Sequence, residues 1–240
     1  MIGVVLTVLG LGGLAALFGG KKPKGPPGPV GGKVGGYEVV TMLTGGAKET
    51  DVLPLLILLH QDLSTAEAAL PLLAGYDKPL RVVVPLGTYV KDGKRAYVDP
   101  ALGIIDRRKA LQQTAIGLQD FIVTAQATWP STGRVFVVGL GSSGAMAVNL
   151  GMFAPPLVRQ AFGIGGVFEA EWVPLAHTWQ NETYKLSWGD SIGFDKLAEE
   201  TAQARDIFYQ VWPIDTDLGE NFDPTLTRDW FLGLLNLEKP

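Results

Sequence analysis

The chain has no cysteine. Disulfide staples, thiolate catalysis and cysteine-based zinc sites are therefore excluded. Histidine is nearly absent too: there are two, His60 and His177, far apart in sequence. That spacing presents no histidine-rich metal constellation, and no metal is expected. Basic charge is in short supply, with 20 Lys and Arg against 24 Asp and Glu and a net charge of -4. The electrostatic footprint of a nucleic-acid binder is missing, so no nucleic-acid partner is expected. Residues 1–20 lack any charged side chain. At 240 residues the chain is long enough for one sizeable α/β domain with a full core.

Residues 1–20 are rich in Val, Leu, Ile, Ala and Gly. About 20 helical residues span about 30 Å, the thickness of a bilayer core. Lys21, Lys22 and Lys24 follow at once. A cleaved signal peptide has its positive charge before the apolar run and a small-x-small site after it. The order here predicts one uncleaved transmembrane helix over 1–20, with the lipid bilayer as its partner. A cleaved signal or an apolar docking helix are the alternatives. The lysines predict a single-pass protein whose globular domain lies on the cytoplasmic side. Residues 21–36 read as a Gly- and Pro-rich linker, partly extended and without a strict collagen repeat. The α/β domain is expected over 37–240.

Within that domain, strands are predicted at 37–43, 53–59, 80–85, 135–138, 161–168, 183–188 and 207–212. Helices are predicted at 64–74, 106–127, 145–153, 195–205 and 225–237. The first helix carries a capping box, Ser64 with Glu67 three residues on, and Gly75 as its stop. Several strands are nearly continuous apolar runs, as expected where both faces are covered. Strand and helix largely alternate, which predicts a mostly parallel, doubly wound sheet.

The segment Val135-Phe136-Val137-Val138-Gly139-Leu140-Gly141-Ser142-Ser143-Gly144-Ala145-Met146-Ala147 has the layout of a nucleophile elbow, a strained strand-to-helix turn that projects a serine above a sheet. Ser142 is its candidate nucleophile. A plain Gly-rich packing turn, or an anion site at the helix start, is the alternative. His60-Gln61-Asp62 follows a buried strand. With Ser142 as nucleophile, the backbone N–H groups of Asp62 and Ser143 are the candidate oxyanion-hole donors. An acidic residue at 62 is awkward there, and His60 reads as structural.

The order Leu58-Leu59-His60, Leu80 to Gly87, Gly133 to Gly139 and Gly144-Ala145-Met146-Ala147 resembles the phospholipase/carboxylesterase family of α/β-hydrolases, the acyl-protein thioesterase type. Phe162-Gly163-Ile164-Gly165-Gly166 resembles that family's strand-end segment. The resemblance covers roughly residues 37–235. It implies an α/β-hydrolase fold, esterase or thioesterase ancestry on acyl substrates, and no cofactor. It also implies a degenerate triad. Counting through the elbow puts the family's nucleophile at Gly141, one residue before Ser142. The acid's position falls on Ile192, with Asp190 the nearest carboxylate and Asp195 a poorer one. The base's position after the last strand holds an aspartate, near Asp217. His177 is then the remaining candidate base. Trp172, Trp179, Trp188 and Trp212 read as core or rim packing rather than an acyl pocket.

Two functions follow. The favoured one is a membrane-anchored hydrolase-fold protein that has lost catalytic competence and serves as a binding or structural module of a membrane assembly, with a protein partner. The alternative is an active serine carboxylesterase or thioesterase hydrolysing acyl esters, with Ser142 as nucleophile, Asp190 as acid and His177 as base.

Overall fold

The computed structural model describes residues 33–73, 76–154, 156–164, 185–189 and 208–212. The expected membrane helix at 1–20 and the expected helices at 195–205 and 225–237 lie outside the described residues. Among the described residues no helix is long and apolar enough to cross a membrane.

Strand β1 (Lys33–Val34) turns through Gly35 and Gly36 into β2 (Tyr37–Thr44). Both glycines have positive φ, +54° and +87°, which suits the twist of a tight hairpin. Gly35 also lies flat against a helix: a Cβ there would stand 2.6 Å from the Phe121 Cα. Val34, expected in the linker, is buried in the core.

Among the described residues the main sheet has eight strands, in the order β1-β2-β4-β3-β7-β8-β9-β10. Here β3 is Leu55–Leu59, β4 Leu80–Pro85, β7 Val135–Leu140, β8 Val158–Ile164, β9 Lys185–Gly189 and β10 Phe208–Trp212. The β1–β2 and β2–β4 pairs are antiparallel, and every other pair is parallel. This is the mostly parallel α/β sheet the sequence predicts.

All five residues of β3 are buried because each face is covered. Leu55, Ile57 and Leu59 pack with helices α2 (Ile104–Thr128) and α3 (Ser142–Phe153). Leu56 and Leu58 point the other way, into a core with Ala66, Ala69, Leu72 and Leu73. A strand alternates its side chains between faces, so only a continuous apolar run can serve two cores at once.

Three elements differ from expectation. The helix predicted over 64–74 shrinks to α1 (Ala66–Ala69) followed by a 3₁₀ turn, Leu70–Leu73. Pro71 has no N–H to continue an α-helical ladder, and Leu70 N–H tightens instead onto the Glu67 carbonyl. The capping box does not form: Thr65 is the N-cap, without a side-chain bond. Ser64 is drawn into a two-way backbone bridge with Arg95. A hairpin the sequence analysis passed over, β5 (Tyr89–Lys91) and β6 (Lys94–Ala96), supplies Arg95. Its signal was Asp92-Gly93, whose φ values are +50° and +75°. Finally, α3 begins at Ser142 rather than at 145. Ser142 is the first residue of a helix, not the tip of a turn.

Candidate active site

The carboxyl ends of β3, β4 and β7 bring together the loops that carry the candidate residues. After β7 the backbone swings through Gly141, at φ 58° and ψ -131°, and enters α3. This conformation is open to glycine and strained for side chains. Gly141 N–H donates to the Ile164 carbonyl at 2.8 Å, and Gly144 N–H to the Gly141 carbonyl at 2.8 Å. Gly139 is required by the same bend: a Cβ there would stand 2.0 Å from the Ser143 carbonyl oxygen. Strand and helix thus meet too closely for any side chain at 139. The counted nucleophile position, Gly141, is the strained tip of this elbow.

Ser142 Oγ donates to Asp62 Oδ2 at 2.5 Å. Arg107, on the first turns of α2, places Nη2 2.6 Å from the same oxygen. The Asp62 side chain is 16% exposed and that of Arg107 32%. The carboxylate stands beside the first turn of α3, where negative charge is favoured by the helix dipole. The N-cap, Gly141, has no side chain of its own to offer. Asp62 and Ser142 are therefore together, through the Asp62 carboxylate. The awkward acidic residue at 62 is accommodated by Arg107, a partner 45 positions away that no sequence pattern announced.

Ser143 is fully buried, and its Oγ donates to the His60 carbonyl at 2.7 Å. This ties the elbow to the β3 loop. His60 is fully buried as well. Its Nε2 accepts from Gly87 N–H at 3.0 Å, and its Nδ1 lies 2.8 Å from the Gln61 carbonyl. That pattern needs a neutral ring protonated at Nδ1. Burial lowers the His60 pKa from its ordinary value, outweighing the opposing bond to Gln61. The ring stacks on Tyr97 at 4.8 Å, and Tyr97 Oη donates to the Pro85 carbonyl at 2.5 Å. His60 thus clamps three loops, as a structural histidine does. His177, Asp190, Asp195 and Asp217 lie outside the described residues, as do Trp172 and Trp179.

Chemically, a serine becomes a nucleophile when a neighbouring base takes its proton, most efficiently one with pKa near 7. Here the Ser142 hydroxyl is committed as a donor to an ion pair. Among the described residues no imidazole reaches it.

No protein-family model and no curated protein matches the chain. Its architecture nonetheless matches many solved structures. A carboxylesterase from Bacillus cereus is 16% identical, with a TM-score of 0.58 over 73% of this chain and 84% of the esterase. Acyl-protein thioesterase 2 from Zea mays is 13% identical, with a TM-score of 0.58 over 84% of this chain and 98% of its own. A ferulic acid esterase from Anaeromyces mucronatus is 15% identical, with a TM-score of 0.56 over 82% of this chain and 84% of the esterase.

The chain has the α/β-hydrolase fold.

In an α/β-hydrolase the β7–α3 turn is the place of the nucleophile, exposed at the top of the sheet. In this chain the strained residue of the turn is Gly141, and the Ser142 hydroxyl donates to the Asp62 carboxylate that pairs with Arg107.

Proposed function

We propose that this chain is a catalytically silent α/β-hydrolase-fold module, tethered to a membrane by residues 1–20. It serves there as a binding or structural component of a membrane assembly and descends from the phospholipase/carboxylesterase family. One observation carries the loss of catalysis: the elbow's strained tip is glycine, at φ 58° and ψ -131°, and has no side chain to attack an acyl group. The adjacent Ser142 hydroxyl, bonded to a carboxylate that is itself paired with Arg107, supports the same reading. Triad residues act as a unit, so a missing nucleophile removes nearly all of their joint contribution.

The test is a fluorophosphonate probe applied to the full chain in detergent. A folded protein that takes up no label supports a silent module. Labelling that disappears in Ser142→Ala and in His177→Ala overturns it and establishes the esterase or thioesterase instead. Membrane tethering is tested separately, by flotation of the full chain with lipid vesicles. Recovery in the soluble fraction would refute it.

A further inference from the structure

Between β4 and α2 the chain forms the β5–β6 hairpin and then turns at Asp99. Asp99 Oδ1 accepts from Ala101 N–H at 2.9 Å, and the Asp99 carbonyl accepts from Leu102 N–H at 3.2 Å. A cleft of about 470 Å³ lies between this loop and α2, a volume in the range of small-molecule sites. On the helix side it is lined by Ala110, Gln113 and Thr114. These share one face because they are spaced i, i+3 and i+4. Ala110 contributes only a methyl group, which leaves room beside it.

The lining combines two kinds of surface. Val98, Leu102, Ala110 and the Tyr97 ring are apolar. Tyr97 is fixed in place by its stacking on His60 and its bond to the Pro85 carbonyl, so this part of the wall is preformed. Tyr89, Asp99, Gln113 and Thr114 supply polar groups. Thr114 Oγ donates to the Ala110 carbonyl at 2.8 Å, so it meets a ligand as an acceptor. The Tyr89 hydroxyl is bonded to the Asp99 carboxylate, and Asp92 adds a second negative charge near that phenol. The lining itself holds one carboxylate and no Lys, Arg or His. Arg95 and Arg107, in the elements that frame the cleft, are engaged by Glu38 and Asp62. Lys109, one turn before Gln113, is exposed and outside the lining.

The geometry points to this cleft as a binding site for a small organic amine in its protonated form. The ammonium group meets the Asp99 carboxylate and the Tyr89 ring, and the hydrocarbon body lies on Val98, Leu102 and Ala110. A carboxylate holds such a cation by a charge-assisted hydrogen bond, and an aromatic face attracts it through the ring quadrupole. An anion finds no positive partner in the lining, and a neutral ligand desolvates the carboxylate without compensating it. The lining shares no residue with the elbow or with the Asp62–Arg107 pair, and the inference does not depend on the elbow being silent.

The test uses three probes of similar shape and different charge: phenethylamine, 2-phenylethanol and 3-phenylpropionate. Each is titrated into the full chain in a zwitterionic detergent, and binding is read by saturation-transfer NMR on the probe's aromatic protons. The wild type should bind the amine in preference to the other two. Asp99→Asn, which keeps the acceptor for Ala101 N–H, should weaken amine binding by about tenfold or more. Gln113→Trp, at an exposed position, should abolish it by filling the cleft while the carboxylate stays. Thermal unfolding verifies that both variants fold, and partitioning into micelles is common to all three proteins. Equal affinity for the three probes, a preference for the alcohol or the acid, or amine binding unchanged in Asp99→Asn overturns the ligand class. Amine binding retained in full by Gln113→Trp overturns the cleft as its place. A wild-type Kd for the amine above about 10 mM overturns the site altogether.

Discussion

Replacing Asp62 by asparagine keeps the side chain's shape and removes the charge that holds the elbow together. In the wild type a single oxygen, Oδ2, accepts from Ser142 Oγ at 2.5 Å and from Arg107 Nη2 at 2.6 Å. Two charges about 4 Å apart attract by roughly 4 kcal/mol at an effective dielectric near 20, before desolvation is subtracted. Arg107 is 32% exposed, so water screens it and recovers part of the loss. Hydrogen bonds to charged groups contribute about 1.5–3 kcal/mol net, and exposed ion pairs about 0–1. The variant weakens the charged hydrogen bond from Ser142 and loses a partly screened ion pair, so Asp62→Asn should cost about 2 kcal/mol. At about 2–4 °C per kcal/mol for a chain of this size, Tm should fall by about 4–8 °C. Thermal unfolding of the full chain in detergent, followed through its six tryptophans, reads this directly. Ser142→Ala, which leaves the Asp62–Arg107 pair intact, should cost only about 1 kcal/mol. The double variant should fall short of the sum, because both changes break the same bond. An Asp62→Asn protein within about 0.5 kcal/mol of wild type and additive with Ser142→Ala would refute the argument.

Three further outcomes are expected. The lowered pKa of buried His60 means that, as pH falls below its ordinary 6.5, the unfolded chain takes up a proton the folded ring refuses. Stability is thus complete above that value and declines toward the lower folded pKa, by at most about 1.4 kcal/mol per pH unit. A His60→Gln variant that keeps the wild-type slope of Tm against pH would count against this. Gly139→Ala forces a Cβ to 2.0 Å from the Ser143 carbonyl oxygen. The obstacle is backbone, so the loss should exceed the roughly 1–3 kcal/mol of ordinary overpacking, and a denaturation midpoint close to wild type would contradict it. Gly141→Ser meets only the Gln61 side chain, with Cγ 3.1 Å from the new Cβ. It should fold with about 1–3 kcal/mol of backbone strain and still resist the fluorophosphonate probe. Labelling at position 141 would mean that a working base survives.

The sequence was sufficient where one local pattern has one physical solution. Val135–Leu140 and Leu80–Pro85 are continuous apolar runs of strand length, and a sheet covered on both faces is where such runs are stable. Gly141 and Gly144 marked the sharp bend in the sequence, whereas the need for glycine at 139 follows from its contact with the Ser143 carbonyl. His60 read as structural from its place at a strand end, and its bonds to Gly87 and Gln61 agree. The first helix was misjudged because the capping signal of Ser64 and Glu67 is local, whereas the Arg95 hairpin that claims the Ser64 backbone is not. The candidate site depended still more on tertiary structure. Asp62, Arg107 and Ser142 come from three elements spread over 80 residues, and nothing in their spacing encodes that they share one oxygen. Sequence alone determined that strands and helices alternate and that a glycine-rich elbow joins two of them, because periodicity and steric freedom are properties of adjacent residues. Only the fold decided that the hydroxyl next to the elbow's glycine is engaged, because that outcome depends on which distant charges the packed sheet brings within hydrogen-bond reach.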